Sequence, residues 1–323
     1  MTDLPDSQYR DKDDGLHPFT EENYYEWWYF DTQFDNGYSC VINYHYRLAF
    51  QVPHVPAIQL NIYTPEGKMH VGFRTFDKSD ISASEDHCDV KMGEHFVRQE
   101  NSSYRLKFRT RRTGTELVFK NLQPGWKPLG TGILLSKDTA VQGWVVPVPR
   151  AEVEGTLFIG ETAIPVKGKR GYHDHNWGNS NMYDNFSGWY WGRMYDDKYT
   201  VIYGWVYPVN KKDQIAARLH LARDNKPLLG TSNFRLSEKN VRTDPQLRRK
   251  YAGNLVLTSK ENDIDFKCRL NTRSVVEKID LSPFASWPTY YFRFLADYTA
   301  EIKSPEFSDR VSGETLHEYM LFK

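Results

Sequence analysis

Glu26-Trp27-Trp28-Tyr29-Phe30-Asp31 is an aromatic run bounded by acids, followed by the turn signal Asp35-Asn36-Gly37 and by a second run, SCVINYHYRLAF, from Ser39 to Phe50. Aromatic and β-branched residues suit a pleated surface, and Asn-Gly between two such runs is a strong short-range hairpin signal. The two runs therefore read as a β-hairpin. Period-2 alternation puts Trp27 and Tyr29 on one side, with Glu26, Trp28 and Phe30 on the other. Both sides are too aromatic for a simple solvated face.

Working outward, further short segments have strand character: Ala57 to Tyr63, Lys68 to Phe73, His87 to Met92, Tyr104 to Thr110 and Thr115 to Phe119. Turn residues separate them at spacings of about 8 to 12 residues, the pattern of an antiparallel sandwich or barrel. No amphipathic helix of three turns stands out, and the best short candidate is Asp244 to Tyr251. Later, the aromatic run Gly188 to Tyr195, the turn Asp196-Asp197 and the strand Tyr199 to Tyr207 repeat the order of the first hairpin. Strand-like segments then continue through Ala216 to Ala222, Leu255 to Thr258, Asp263 to Leu270, Tyr290 to Leu295, Tyr298 to Ile302 and His317 to Phe322. The expected plan is all-β: a polar arm over 1–20, one β domain over 21–182 and a second over 183–323. The small polar stretch Asn179 to Phe186 marks the junction.

Composition narrows the partners. Among the 323 residues, Lys+Arg and Asp+Glu both number 42, so the formal net charge is zero. Nucleic acid or an anionic membrane surface usually needs a basic excess, so neither is expected beyond peripheral membrane contact. Aromatic residues make up 15% of the chain, enough to wall a site for a large apolar or conjugated ligand. The three cysteines, Cys40, Cys88 and Cys268, are scattered and read as buried small hydrophobes. The first residues lack the basic and apolar regions of a signal peptide, and no run reaches the ~18 apolar residues of a membrane span, so the expected location is cytoplasmic.

Chemistry concentrates at Gly171-Tyr172-His173-Asp174-His175-Asn176-Trp177-Gly178. The strand Ile164 to Lys169 rises directly into it. On a strand, His173, His175 and Trp177 share one face, and Asp174 and Asn176 the other. The plain alternative is a polar loop whose side chains satisfy backbone groups. A metal site on His173 and His175 lacks an evident third ligand, so no metal is expected. Neither a phosphate cradle nor a nucleophile elbow occurs, and no cofactor is expected.

The combination of EWWYFD (26–31), GYHDHNWG (171–178) and WYWGR (189–193) resembles the lipocalin-like family of carotenoid 1,2-hydratases and AttH-type proteins. Fungal decalin-forming Diels-Alderases and a phytoalexin hydratase look like more distant members. The resemblance runs from about Trp27 to the C-terminus. It implies two consecutive lipocalin-like antiparallel β-barrel domains, with a hydrophobic substrate cavity near their interface. It also implies that His173, Asp174, His175 and Trp177 do acid-base work on a small lipophilic substrate. Glu26, Trp27, Trp28, Tyr29, Trp189, Trp191, Tyr203 and Trp205 would then contact that substrate.

One departure stands out. Where the hydratases carry Tyr-x-Asp on the strand after WxWGR, this chain has Tyr203-Gly204-Trp205, and an indole has no acidic proton to give. The expected function is therefore a hydratase, isomerase or cyclase acting on an isoprenoid, polyene or polyketide. A carrier that only binds its ligand and a pericyclase that acts by shape alone are the alternatives.

Overall fold

A computed structural model describes residues 8–49, 54–210, 212–285 and 287–322. These residues divide into two compact units that meet in sequence between Asn181 and Met182. Each unit is a curled antiparallel sheet of lipocalin-like half-barrel form.

The first unit contains β1 (Tyr25–Gln33), β2 (Ser39–Arg47), β3 (Ala57–Tyr63), β4 (Met69–Thr75), β5 (Ile81–Ala83), β6 (Asp89–Met92), β7 (His95–Glu100), β8 (Ser103–Arg109), β9 (Thr113–Asn121), β10 (Ile133–Lys137), β11 (Ala140–Ile159) and β12 (Thr162–Gly178). Their order is β4-β3-β2-β1-β12-β11-β9-β8-β7-β6-β5, with β10 added to β11. The opening hairpin is β1 and β2, turned at Gly37 with φ +82°, a backbone region that glycine enters without penalty. Phe50, assigned above to the second strand, lies outside the described residues.

The second unit contains β13 (Phe186–Tyr195), β14 (Tyr199–Pro208), β15 (Ala216–Arg223), β16 (Lys226–Thr231), β17 (Phe234–Thr243), β18 (Lys250–Glu261), β19 (Ile264–Asp280), β20 (Thr289–Lys303) and β21 (Ser308–Phe322). The order β16-β15-β14-β13-β21-β20-β19-β18-β17 repeats the first plan. In both units the first strand lies between the second and the last, and the sheet ends at the fourth and fifth strands. The echo between the two aromatic hairpins is thus carried by whole-sheet topology.

Strand β12 runs without interruption through the chemical motif, so the motif is wall and not loop. Its neighbour β11 accommodates Pro147 and Pro149 where the register shifts, between Val145 and Val148 and between Val148 and Ala151. Proline has no N–H to give to a ladder, and bulges are where a sheet tolerates it. Trp28, Phe30, Ile42, Tyr44, Phe108 and Phe119 are fully buried inside this sheet. Burying each such side chain contributes on the order of 1.5–3 kcal/mol. Cys40, Cys88 and Cys268 are all free and buried.

Two expectations need correction. Asp244 to Tyr251 is no helix but the turn between β17 and β18, in which the Asp244 carboxylate accepts the backbone N–H groups of Gln246 and Leu247. That local bond competes with helix formation. Among the described residues the single α-helical turn is Met182–Asn185.

Nor do residues 8–20 form a loose polar arm. Asp11–Asp14 make a 3-10 turn, Leu16 donates its N–H to the Ser84 carbonyl, and Lys127 pairs with Asp13 at 2.6 Å. Asp14 is completely buried. No helix of the described residues is long and apolar enough to cross a membrane.

Candidate active site

The β1–β12 register sets Trp177 opposite Glu26, His175 opposite Trp28 and His173 opposite Phe30. Directly opposed residues share a face of the pleat, so all six side chains point into the first unit. Phe30 stacks on His173 at 3.8 Å between ring centroids, and Trp28 on His175 at 4.3 Å.

Two carboxylates meet the imidazoles there. His173 Nε2 lies 3.0 Å from Asp14 Oδ2, while its Nδ1 lies 2.9 Å from the Tyr29 carbonyl. His175 Nε2 lies 2.8 Å from Glu26 Oε1, and its Nδ1 lies 3.3 Å from Asp14 Oδ1, near enough for charge attraction. Tyr104 donates its hydroxyl to Asp14 Oδ2 at 2.9 Å, and Tyr24 donates to Glu26 Oε2. The Asp14 carbonyl accepts from the Trp28 indole N–H at 3.0 Å. His17 closes the group: its Nδ1 is 3.3 Å from Glu26 Oε1, and its ring lies flat on Trp177 at 3.7 Å.

Charge and burial compete here, and charge wins. Burial alone would raise the Asp14 pKa, but His173 and His175 hold it down at about 2. Glu26 is lowered as well, because hydrogen bonds from His17 and His175 outweigh its burial. Burial would push His175 down, yet Asp14 and Glu26 lift it to about 9. At neutral pH His175 is an imidazolium held between two carboxylates.

Asp174 does not serve the imidazoles as its place in the motif implies. The pleat turns it to the opposite face, where it accepts from Trp144 Nε1 at 3.0 Å, Tyr172 OH at 2.9 Å and Asn176 Nδ2 at 2.8 Å. Trp27 and Tyr29 are half-buried on that same face. The carboxylates that do engage the imidazoles, Asp14 and Glu26, lie far from the motif in sequence. Glu26 was legible as an acid flanking an aromatic strand. Nothing in the polar stretch around Asp14 and His17 distinguished either residue.

Metal ligation looked poor for want of a third ligand, and the fold supplies one. His17, Glu26 and His175 bring one ligand atom each within 4.8 Å of one another, as do Asp14, Cys88 and His173. In the first set the His175 imidazolium already balances the Glu26 charge. Burial also raises the Cys88 thiol well above its ordinary range, which disfavours the thiolate that would bind a metal.

In the second unit the expected contact residues are divided. Tyr203 and Trp205 share a face with Tyr190, whereas Trp189 and Trp191 are half-buried on the other side of the β13–β14 pair. Tyr203 is fully buried, and Trp205 forms part of a cleft of about 610 Å³ with Tyr207, Phe234, Tyr319, Leu321 and Glu238. Glu238 accepts the Tyr207 hydroxyl.

The family model described as AttH-like matches residues 11–281. The chain belongs to the AttH-like family. The AttH-like match begins at the 3-10 turn that carries Asp14, so it takes in the whole buried cluster. A curated relative, the hydroxyneurosporene dehydrogenase of Chlorobaculum tepidum, is 28% identical over 219 residues, covering 57% of this chain and 56% of that protein. The match thus spans little more than half of the relative's length. Among solved structures, an AttH-type protein of Nitrosomonas europaea is similar along all of both chains, with a TM-score of 0.70 at 16% identity. CghA in complex with Sch210972 has a TM-score of 0.71 at 12% identity, covering 100% of this chain and 98% of CghA. Kievitone hydratase of Nectria haematococca has a TM-score of 0.60 at 14% identity, covering 93% and 89%. At such identities the likeness is one of fold.

Two outcomes follow from this geometry. Because the pKa of His175 is raised from 6.5 to about 9, its stabilising contribution is complete below about pH 6.5 and is lost as pH climbs through 9. The contribution of Asp14, lowered from 3.8 to about 2, is complete above about pH 4 and is lost as pH falls through 2. Denaturation curves should therefore show the wild type losing about 3 kcal/mol between pH 6.5 and 10, a loss missing from His175→Gln. A flat alkaline limb in the wild type would contradict this assignment. Separately, a Cβ at Gly143 would sit 2.1 Å from Trp177 Cε2, so Gly143→Ala should cost roughly 1–3 kcal/mol and shift the tryptophan emission.

Proposed function

We propose that this protein is a cofactor-independent enzyme that moves a proton on an unsaturated lipophilic small molecule of isoprenoid, polyene or polyketide type. The observation that carries the reading is the His175 imidazolium, buried between Asp14 and Glu26 on a face walled by Trp28 and Trp177. Membership of the AttH-like family supports it, as does the name of a curated relative that refers to a hydroxylated isoprenoid.

The mobile proton is the one between His175 Nε2 and Glu26 Oε1. In the proposed step the N–H bond breaks as a new bond to that hydrogen forms on the substrate. The substrate cation then gives up a proton from a neighbouring carbon, is attacked by water that gives up a proton, or is attacked by a second double bond whose new cation gives one up. These routes give isomerisation, hydration or cyclisation, and in each case the proton returns to neutral His175 Nε2. A group whose pKa is about 9 is a weak acid, matched to an oxygen or a carbon conjugated with one and not to an isolated alkene. Trp28 and Trp177 offer π-faces to developing positive charge. In this scheme His173 anchors Asp14, and Asp174 holds the opposite side of the strand in place.

Incubation with polyenes that carry a conjugated carbonyl and with their hydrocarbon counterparts, followed by mass spectrometry of the products, tests the scheme. The carbonyl series should turn over, and His175→Ala should slow it at least about 100-fold. Asp174→Asn, acting only through strand geometry, should cost less. Undiminished turnover in His175→Ala would remove the acid-base reading in favour of a pericyclase that acts by shape.

A carrier is the second reading, favoured by the aromatic cleft around Trp205, which has an indole where the hydratase pattern carries an acid. Native mass spectrometry of protein from its own cells, showing a lipophile released unchanged after long incubation, would support it.

A further inference from the structure

Trp177 is held as a fixed platform. One side of its indole lies against Gly143, where any Cβ would stand 2.1 Å from Cε2 and 2.2 Å from Cζ2, so only glycine allows the ring to lie flat there. The ring of His17 is stacked on the indole, parallel to it within 2° and 3.7 Å from it. His17 keeps 27% of its side chain exposed, while Glu26, Trp177 and His175 beneath it are shut away from water. Its Nδ1 also reaches Glu26 Oε1 at 3.3 Å, the same oxygen that holds His175 Nε2 at 2.8 Å.

His17 thus has the features of a bound ligand: a flat unsaturated ring stacked on an indole, with a ring nitrogen at the carboxylate of the proton-holding pair. Asp14, three residues earlier, is by contrast locked to His173, Tyr104 and Trp28.

We propose that Trp177 and Glu26 form a subsite for a planar conjugated group bearing one O–H or N–H donor, and that His17 is an internal occupant that such a ligand displaces. Turning the His17 side chain outward bares the indole face and the side of Glu26 Oε1 that Nδ1 approaches at 3.3 Å, while the His17 backbone N–H keeps its own bond to that oxygen at 2.9 Å and the ion pairs of Asp14 stay unbroken. The ligand's flat π-system then takes the place of the imidazole, and its donor takes the place of Nδ1. A saturated ring of equal size cannot lie flat on the indole, and a flat hydrocarbon leaves Glu26 without the replaced bond. The use of this subsite rests on the acid-base reading, since it would present a substrate to the His175–Glu26 pair, but its occupancy is measured by binding alone.

The test is calorimetric titration of three probes: 2-naphthol, which is flat with one donor; decahydro-2-naphthol, with the same donor on a puckered frame; and naphthalene, flat without a donor. Each is titrated into wild type, His17→Ala, His17→Asn and His17→Phe, with a thermal unfolding curve for every variant. Both opening variants, Ala and Asn, should bind 2-naphthol at least about ten-fold more tightly than wild type, and about ten-fold more tightly than either control probe. His17→Phe keeps the platform covered and should show no gain. Trp177→Leu in the His17→Asn background should cancel the gain. Equal affinity in wild type and both opening variants, or an equal gain for decahydro-2-naphthol, would overturn the proposal. Either result stands whether or not the protein proves to be a catalyst.

Discussion

Taking a charge out of water costs several kcal/mol unless an opposite charge travels with it. The first unit obeys that constraint in its interior, where Asp14, Glu26, His173 and His175 are all inaccessible to solvent and mutually paired. The pleat of β12 commits both histidines to the inside, and the pleat of β1 brings only Glu26 to meet them. The second carboxylate, Asp14, comes from outside the sheet. The chain ahead of the first strand is thus drawn into the barrel, and its 3-10 turn ends on that buried aspartate. Removing the Asp14 carboxylate would break its interactions with His173, His175 and Tyr104 at once, so the segment is as much a part of the core as any strand.

The repeated plan makes an internal comparison possible. Each unit sets a histidine of its last strand against its first strand: His175 faces Trp28 in one, and His317 faces Gly192 in the other. Both are completely buried. With two carboxylates beside it, His175 is raised to about 9, whereas burial draws His317 down to about 3, and its nitrogens have no hydrogen-bond partner among the described residues. One architecture thus holds a charged imidazole in one unit and a neutral one in the other. The difference lies in the company each ring keeps, and it confines the proton-holding pair to the first unit. Trp205 belongs to the unit whose buried histidine has no carboxylate beside it.

Much of the fold was legible because its signals are local. Alternation, turn residues and aromatic content read correctly as antiparallel strands, and the paired hairpin motifs foretold two sheets of one plan. Asp244 to Tyr251, the best short helical candidate, is instead a turn running into β18, where the Asp244 carboxylate takes the backbone N–H groups of Gln246 and Leu247. The site was legible only by half. His173, His175 and Trp177 were placed on one face correctly, since neighbouring residues of a strand must alternate. The same rule put Asp174 on the other face; its place beside the imidazoles came from the resemblance alone, and in the fold it bonds Trp144, Tyr172 and Asn176 instead.

By itself, then, the sequence determined the strands, their two faces, the repetition of the sheet and the identity of the imidazoles. The tertiary structure alone decided which acids answer them. The bond from His173 to Asp14 spans 159 positions and that from His175 to Glu26 spans 149. No pattern within a strand or turn encodes such a separation. It arises because β12 closes the sheet against β1, where Glu26 meets His175, and because the segment ahead of β1 folds back to set Asp14 beside both rings.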